Sequence, residues 1–335
     1  MRKTTRFDSM TTSTQDSLMP EWVCPTDSSP LVEAESRLEC PQGHAFQVVR
    51  GIPRFVESEG YVEHFGLQWR QYPKTQLDSY TGLPISRDRL RRCLGEEVWR
   101  RLPEMSVLEC GCGAGRFTEV LLKEGAAVTS VDLSSAVEAN AEMFPAGERH
   151  RVAQADIVKL PFQQGRYDLV LCLGVIQHTI DPEQTIAALY AQVKPGGWLV
   201  IDHYTRGVGR WTSVKPFYRA VMKRLRPDTA LRFTERLVDT FLPLHRRTRN
   251  SRPAWFLLCR VSPITTFYRS APSLPEPLQR EWALLDTHDS LTDWNKHLRT
   301  APQIQAMLSD LGGQEIWCEY AGNGVEARRR RPAAS

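Results

Sequence analysis

A short stretch in the first half of the chain combines one carboxylate with three glycines, residue types that suit the binding of a charged small molecule. Gly111, Gly113 and Gly115 have no Cβ atom, so the backbone can approach a ligand closely. Arg116 stands where a dinucleotide-binding loop would have its third glycine. Glu109, just before the loop, would repel a pyrophosphate and attract an ammonium or sulfonium cation. The pattern therefore favours a cationic ligand over a dinucleotide.

The flanking sequence predicts the elements that must hold this loop. Val107 and Leu108 end an apolar run typical of a buried strand, and residues 117–122 have the pattern of a starting helix. The amide groups at the start of that helix would be available to an anionic part of the ligand. The next two predicted strands end in Asp132 and Asp156. An acid in the place of Asp132 can accept both hydroxyl groups of a ribose, and the alternative for either acid is a helix cap or a loop residue.

In this order, the loop and the two acids resemble the motifs of class I S-adenosylmethionine-dependent methyltransferases, in particular a type 11-like bacterial subfamily. Residues Tyr167–Leu173 and Val193–Ile201 resemble the fourth and fifth core strands of that family. The resemblance implies an α/β, Rossmann-like fold with a mostly parallel seven-stranded sheet and an antiparallel final strand. It also implies S-adenosyl-L-methionine as cofactor, which carries two cations and a carboxylate.

The resemblance assigns cofactor contacts residue by residue. Asp132 would bind the ribose, and Asp156 beside Ile157 would bind the adenine. The segment FGLQWRQYPKTQLDSYTG resembles a cap over the cofactor, with Gln68 and Tyr80 as further candidates for contact with the cofactor or the substrate; a self-buried aromatic stripe is the alternative. The expected cofactor residues are Trp69, Gln76, Glu109, Gly111, Cys112, Gly113, Gly115, Asp132, Leu133, Asp156, Ile157, Leu173 and His178.

A catalytic candidate follows the fourth strand, in the loop Gly174–Thr179. His178 could remove a proton from an acceptor hydroxyl or amine, or it could only shape the methionine end of the cofactor site. The loop lacks the N-P-P-Y or D-P-P-Y signature of many base-directed methyltransferases, which argues mildly against a nucleic acid substrate. His203, Tyr204 and His288 are weaker candidates, since such residues are more often structural.

The N-terminal region carries a second constellation. Cys24 and Asp27 form one knuckle and Cys40 and His44 another, the arrangement of a small zinc ribbon, although Asp27 stands where a second Cys is usual. This stretch resembles the zinc-ribbon module that precedes the catalytic domain of several bacterial methyltransferases. The four residues are candidate structural Zn²⁺ ligands, and the alternative is a metal-free hairpin.

A basic insertion separates the fifth strand from the predicted terminal helix and hairpin. Residues 206–252 contain thirteen Lys and Arg against three acids, while the whole chain has a net charge of +4. Phe217, Val221 and Leu225 repeat on one face of a predicted helix that should end at Pro227, and a second helix is predicted over residues 231–242. Insertions at this edge of a parallel sheet cover the ligand, so we predict a substrate lid. Its basic face could be solvated, could contact a membrane surface, or could bind phosphate-bearing substrates or RNA.

The predicted organisation comprises a disordered tail, a zinc-ribbon-like module, a helical cofactor cap, the methyltransferase core, the basic lid and the end of the core. The Arg-rich run at residues 328–331 is predicted to be a solvated end. The corresponding residue ranges are 1–20, 21–58, 59–104, 105–205, 206–300 and 301–335.

Composition sets outer bounds on function. A chain of 335 residues, 41% of them hydrophobic, can form one large domain with one or two small ones. No apolar run approaches the roughly 20 residues of a membrane-spanning helix, and the N-terminus lacks the apolar segment of a secretory signal. Eight scattered cysteines suit a reducing cytoplasm. We expect a cytoplasmic enzyme that methylates a small-molecule, glycan or lipid-linked acceptor. The alternatives are an rRNA or tRNA methyltransferase and a non-catalytic S-adenosylmethionine-binding partner protein.

Overall fold

A small four-stranded antiparallel sheet forms the N-terminal module. The computed structural model describes residues 19–57, 63–205, 213–312, 314–322 and 324–334, so most of the tail predicted over residues 1–20 lies outside it. The strands of the module pair in sequential order. They are β1 (Val32–Ala34), β2 (Arg37–Glu39), β3 (Ala45–Val49) and β4 (Ile52–Pro53).

The main sheet has seven strands and runs mostly parallel. Its spatial order is β10, β11, β9, β8, β5, β6, β7, and only β10 and β11 run antiparallel to their neighbours. This confirms the predicted Rossmann-like α/β fold with an antiparallel final strand. The strands are β5 (Ser106–Cys110), β6 (Ala127–Asp132), β7 (His150–Gln154), β8 (Tyr167–Cys172), β9 (Val193–Tyr204), β10 (Gln314–Ala321) and β11 (Gly324–Arg330).

Helices cover both faces of this sheet because its central strands are apolar on both sides. One face packs on α3 and α4, and the other packs on α6 and α11. The helices before the lid are α1 (Glu63–Gln71), α2 (Asp78–Thr81), α3 (Ile85–Arg101), α4 (Arg116–Lys123), α5 (Ala136–Met143) and α6 (Pro182–Gln192). Those in and after the lid are α7 (Lys215–Met222), α8 (Pro227–Thr248), α9 (Arg252–Val261), α10 (Glu276–Thr292) and α11 (Ala301–Asp310).

The N-terminal module docks against the edge strand β7. Arg54 forms a parallel bridge with Gln154, and the amide of Phe55 donates to the Gln154 carbonyl at 2.8 Å. Ile52 packs against Cys112 of the glycine-rich loop. The module therefore supports the loop directly.

The lid has its own apolar core, formed by α7, α8 and α10. The predicted helix boundaries need correction here, because Pro227 does not end the first lid helix. It is the first residue of α8, a position where proline loses no helical hydrogen bond. Among the described residues, no helix is long and apolar enough to cross a membrane.

The arginines at positions 328–331 do not form a solvated end, so that prediction was wrong. β11 pairs with β10 on one side and β9 on the other, which places the run inside the sheet. Arg329 is fully buried and its guanidinium lies 4.3 Å from the centre of the Tyr190 ring, while Arg328 lies 4.4 Å from that of Trp317. Stacking on aromatic rings lets these cations lie over an apolar sheet with their stems packed against it.

Candidate functional site

A cavity of about 310 Å³ lies at the carboxyl ends of the parallel strands, between the core sheet and the lid. Ligands in open α/β sheets bind at this edge. The loops after β5, β6, β7 and β8 form its floor, and α1 and α10 contribute the opposite wall. Most of the predicted cofactor residues line it, namely Trp69, Gln76, Gly111, Cys112, Gly113, Asp132, Leu133, Asp156, Ile157, Leu173 and His178.

The loop after β5 requires glycine at two lining positions. Gly111 has φ +75°, and a Cβ atom there would lie 2.2 Å from Cγ2 of Val175. Gly113 has φ +51°, and its Cβ would lie 3.3 Å from the ring of Trp69. Both positions need left-handed backbone and a close approach, which glycine alone combines without strain. The loop thereby lines the cavity without a side chain at these two positions.

Asp132, the last residue of β6, hydrogen-bonds to the loop after β5. Its Oδ2 accepts from the amide of Gly113 at 2.9 Å, and its Oδ1 accepts from the amide and the hydroxyl of Ser134 at 2.9 and 2.7 Å. Burial raises the pKa of Asp132, and these hydrogen bonds oppose that rise. A carboxylate has about four acceptor positions, so about one remains for a ligand hydroxyl.

Asp156 begins a short 3₁₀ turn, Ile157–Lys159, after β7. Its Oδ1 caps the turn by accepting from the amide of Val158 at 3.0 Å. Asp156 can cap this turn and bind a ligand at the same time, since each role uses one carboxylate oxygen. Ile157 and Val158 line the same region of the cavity, so a carboxylate stands there beside an apolar wall.

Two predicted cofactor residues do not reach the cavity. The Oε2 of Glu109 accepts from the hydroxyl of Thr118 at 2.5 Å and from that of Ser130 at 3.2 Å. Strand alternation directs Glu109 toward α4 and not toward the ligand, and burial raises its pKa to about 7 against the lowering effect of these hydrogen bonds. Glu109 therefore does not line the cavity, and its attraction for a cation stays a prediction. Gly115 instead caps α4 with φ +99°, and its Cβ would meet Phe144 at 2.5 Å.

The predicted cofactor cap contributes the polar side chains of Gln68 and Gln76 and the ring of Trp69 to the cavity. Gln68 is buried and lines the cavity, and its Oε1 has no hydrogen-bond partner within the described ranges. The amide of Gln76 links two charges: Oε1 accepts from Arg116 Nη1 at 3.1 Å, and Nε2 donates to Asp286 Oδ1 at 3.4 Å. Tyr80 lies elsewhere, with its exposed side chain donating to Glu281 at 3.2 Å.

His178 lies at the lid end of the cavity and is buried against carboxylates. Its Nδ1 lies 3.2 Å from Asp293 Oδ2, and its Nε2 lies 3.8 Å from Asp289 Oδ1. Burial alone would lower the pKa of His178, but the charges of Asp289 and Asp293 outweigh burial and raise it. Asp293 also pairs with Arg219 at 2.6 Å and with Lys296 at 3.1 Å. His178, Asp289 and Asp293 lie close enough together to hold a metal ion, but Asp293 is already paired with two cations.

The same end of the cavity has charged residues that the sequence analysis missed. Asp286 and Asp289 of α10 line it, and burial raises the pKa of Asp286 to about 6. Arg116 also lines it, and its guanidinium has no carboxylate within 4 Å in the described ranges of the chain. Burial lowers the pKa of Arg116 to about 10. The signal that could have found the acids is their i, i+3, i+7 spacing with Asp293, which places all three on one helix face.

Of the weaker catalytic candidates, only Tyr204 lines the cavity, where its hydroxyl donates to Asp289 at 3.5 Å. The Nδ1 of His203 lies 2.9 Å from the Tyr204 carbonyl. The Nδ1 of His288 lies 3.2 Å from the Thr234 hydroxyl, and burial lowers the pKa of His288 to about 3. Both histidines are buried away from the cavity, so they are structural.

The four predicted zinc ligands converge in the N-terminal module. One ligand atom from each lies within 4.8 Å of the other three. The Nδ1 of His44 lies 3.5 Å from Cys24 Sγ, 3.3 Å from Cys40 Sγ and 3.2 Å from Asp27 Oδ2. The other oxygen of Asp27 accepts from the amide of Ser29 at 2.9 Å, which orients the carboxylate toward the cluster. Two thiols, an imidazole and a carboxylate form a donor set that suits zinc.

Comparison with known proteins agrees with this geometry. A family model described as a methyltransferase domain matches residues 108–201. The ubiquinone biosynthesis O-methyltransferase of Bordetella avium is 28% identical over 181 residues, which are 52% of this chain and 73% of that protein. The enzyme of the same name from Azotobacter vinelandii is 37% identical over 109 residues, 32% of this chain and 47% of that protein. Apart from the Bordetella protein, the chain spans about half the length of the curated relatives it matches.

Among solved structures, an S-adenosylmethionine-dependent methyltransferase from Thermotoga maritima is similar, with a TM-score of 0.43 and 14% sequence identity. The superposition covers 82% of this chain and 100% of that one.

Gly111→Ala should weaken binding of S-adenosylmethionine about tenfold or more, or ~1.4 kcal/mol, because the new Cβ displaces Val175 or the loop. Isothermal titration calorimetry would measure the affinity, with a thermal melt to verify folding. Gly147→Ala is the matched control, since Gly147 has no atom within 4 Å of an added Cβ and no left-handed φ. Native affinity in a folded Gly111→Ala protein would show that the loop does not contact the cofactor.

Proposed function

We propose that this chain, which belongs to the class I S-adenosylmethionine-dependent methyltransferases, methylates a hydroxyl group of a small-molecule acceptor bound between the core sheet and the lid. The observation that carries the proposal is the cavity in which cofactor residues and a buried histidine meet. The names of the relatives support an oxygen acceptor, since both are O-methyltransferases. The acceptor itself is proposed only as a class.

S-adenosylmethionine, when bound, would supply an activated methyl group. Asp132 would hold a ribose hydroxyl, Asp156 with Ile157 would hold the adenine, and Arg116 would hold the carboxylate. These residues suit the cofactor because two polar groups line the cavity without a partner in the described ranges. The half-buried Arg116 guanidinium has no ion-pair partner, and Gln68 Oε1 has no hydrogen-bond partner. The remaining work of the protein is to align an acceptor and to exclude water.

His178 would act as general base on the acceptor hydroxyl. The Asn295 carbonyl lies 3.3 Å from Nδ1 and Asp293 forms an ion pair with Nδ1 at 3.2 Å, so we assign the proton to Nδ1 and the basic role to Nε2. Asp293 would stabilise the imidazolium that forms. The lid holds this geometry, because the amide of His297 donates to the Gln177 carbonyl at 2.9 Å and Asn295 Nδ2 donates to the His178 carbonyl at 3.3 Å. Proton removal therefore depends on a closed lid.

A transfer assay with methyl-labelled S-adenosylmethionine tests the function. Purified protein would be incubated with a deproteinised extract of cells that express it, and label would be counted in small-molecule, lipid and RNA fractions. Label in the small-molecule or lipid fraction supports the proposal. Label confined to nuclease-sensitive RNA would favour an RNA methyltransferase, and no label in any fraction would favour a non-catalytic cofactor-binding protein.

His178→Gln should lower the methyl transfer rate about a hundredfold or more. The rate of the native enzyme should rise with pH, because the base form is needed, and level off above a pKa raised beyond 6.5. Asp293→Asn removes an anion that favours imidazolium, so the rise should move to lower pH. NMR titration of the His178 ring would give the pKa independently. An unchanged profile in Asp293→Asn would contradict the assigned base.

We further propose that the N-terminal cluster binds a structural zinc ion. Protein purified without chelators should contain about one zinc per chain by mass spectrometry. Cys40→Ser should lose the metal, whereas Cys259→Ser, a thiol outside the module, should keep it. Asp27→Cys should retain zinc more strongly against a chelator, because it restores a third thiolate. Absence of zinc from the native protein would leave the module as a metal-free hairpin.

We also propose that the lid contacts an anionic membrane surface. Phe217 and Val221 of α7 are 84% and 60% exposed, and Phe256 and Leu257 of α9 are 57% and 66% exposed. The two helices are neighbours, since the amide of Val214 donates to the Arg260 carbonyl at 3.0 Å. Exposed apolar groups on a strongly basic segment are the pattern of interfacial binding.

Sedimentation with lipid vesicles tests this contact. Native protein should bind phosphatidylglycerol vesicles and should not bind phosphatidylcholine vesicles. Added salt should weaken the binding to phosphatidylglycerol vesicles. Phe217→Ser combined with Phe256→Ser should bind severalfold less. Val32→Ser is the control, because Val32 is 65% exposed on the N-terminal module. Equal binding of the vesicles by the double variant and the control would show that this lid surface does not contact the membrane.

A further inference from the structure

A second cavity, of about 620 Å³, lies inside the lid and is lined by cations. It is bounded by α7, α9 and the chain segment around Thr265. No Asp or Glu lines it among the residues that the structure describes. Its charged lining residues are Lys215, Arg219, Lys223, Arg224 and Lys296.

Only some of this positive charge is neutralised. Arg219 and Lys296 pair with Asp293, at 2.6 and 3.1 Å. Lys215, by contrast, donates to the hydroxyl of Thr265 at 2.9 Å and has no carboxylate within 4 Å in the described ranges. Burial, with the charge of Lys296, lowers the pKa of Lys215 to about 8. A half-buried ammonium in this position is costly unless an anion accompanies it.

A buried histidine adds a ring nitrogen that has no hydrogen-bond partner within the described residues. His245 is 1% exposed and lines the cavity. Its Nε2 lies 2.9 Å from the hydroxyl of Ser262, whereas its Nδ1 has no hydrogen-bond partner within the described segments of the chain. When Nε2 accepts from Ser262, Nδ1 carries the proton. In that tautomer, a ligand oxygen in the cavity would supply the acceptor that the buried Nδ1–H group lacks.

The second cavity adjoins the acceptor end of the first. Asp289 lines the cofactor cavity, and the next residue, Ser290, lines the lid cavity. Asp293 contacts His178 on one side and Lys296 on the other. A molecule that presents a hydroxyl to His178 could therefore place another group in the lid cavity, on the other side of Asp293.

We propose that the lid cavity binds a phosphate or pyrophosphate group carried by the methyl acceptor. This deepens the proposed function and rests on it. Several cations and a neutral donor around one space match the charge and the many acceptor oxygens of a phosphate better than those of a single carboxylate. Lys215 and His245 are the residues that recognise the group, and the paired Arg219 and Lys296 supply the surrounding field.

Calorimetric titration of the full chain with inorganic pyrophosphate tests the site. Native protein should bind the probe, and Lys215→Gln and His245→Phe should each bind it about tenfold more weakly, the equivalent of ~1.4 kcal/mol. Lys215→Arg should keep most of the affinity. Arg247→Gln is the matched control, because it removes an exposed cation of the lid outside the cavity. S-adenosylmethionine affinity, measured on the same samples, should be native in every variant.

The outcomes separate this inference from the methyltransferase assignment. Native S-adenosylmethionine binding with no pyrophosphate binding, or with equal loss in Arg247→Gln and Lys215→Gln, would overturn the lid site alone. If the native protein does not bind S-adenosylmethionine, the proposed function itself is overturned. A parallel sedimentation with phosphatidate vesicles identifies the source of the phosphate. Vesicle binding that falls in Lys215→Gln supports a lipid headgroup, and vesicle binding that does not fall, with pyrophosphate binding lost, supports a soluble phosphate.

Discussion

The hydrogen bond from the Gly113 amide to Asp132 joins the two strands on which the site depends. It can form only because the loop after β5 turns through left-handed glycines at 111 and 113. That path lies against Val175, from the loop after β8, and against Trp69, from the cap. One backbone constraint thus sets the positions of residues from four separate regions of the chain.

Buried charged side chains gather at one end of the cavity. The acceptor end of the cavity has Asp286, Asp289 and His178, while Arg116 faces it from the start of α4. Burial raises the pKa of Asp286 and lowers that of Arg116, while the neighbouring carboxylates raise the pKa of His178 against the effect of burial. Such perturbed groups cluster at functional sites. Gln76 connects Arg116 to Asp286 and so couples the core to the lid. The acids belong to the lid, so the acceptor end exists only when the lid is packed on the core.

Local pattern was sufficient to predict the fold and many of the residues that line the cavity at the carboxyl edge of the sheet. Strand, loop and helix alternate with clear periodicity, and the motif acids fall at strand ends where the family resemblance expects them. Glu109 was misplaced because a strand-end residue can face either side of a sheet, and alternation from Val107 assigns it to α4. The arginines of β11 were misplaced because nothing local shows that β11 lies between two strands, or that aromatic rings from other elements cover its cations. The lid acids were missed because their function depends on where α10 packs, which is a tertiary property.

The central claim is that the cavity at the carboxyl edge of the sheet binds S-adenosylmethionine through Asp132. Calorimetric titration of the native chain and of Asp132→Ala with S-adenosylmethionine tests it most directly, with Tyr80→Phe as a control outside the cavity. Saturable binding by the native and control proteins, weakened at least about tenfold in Asp132→Ala, is the predicted result. Equal affinity in folded Asp132→Ala protein would contradict the assigned site.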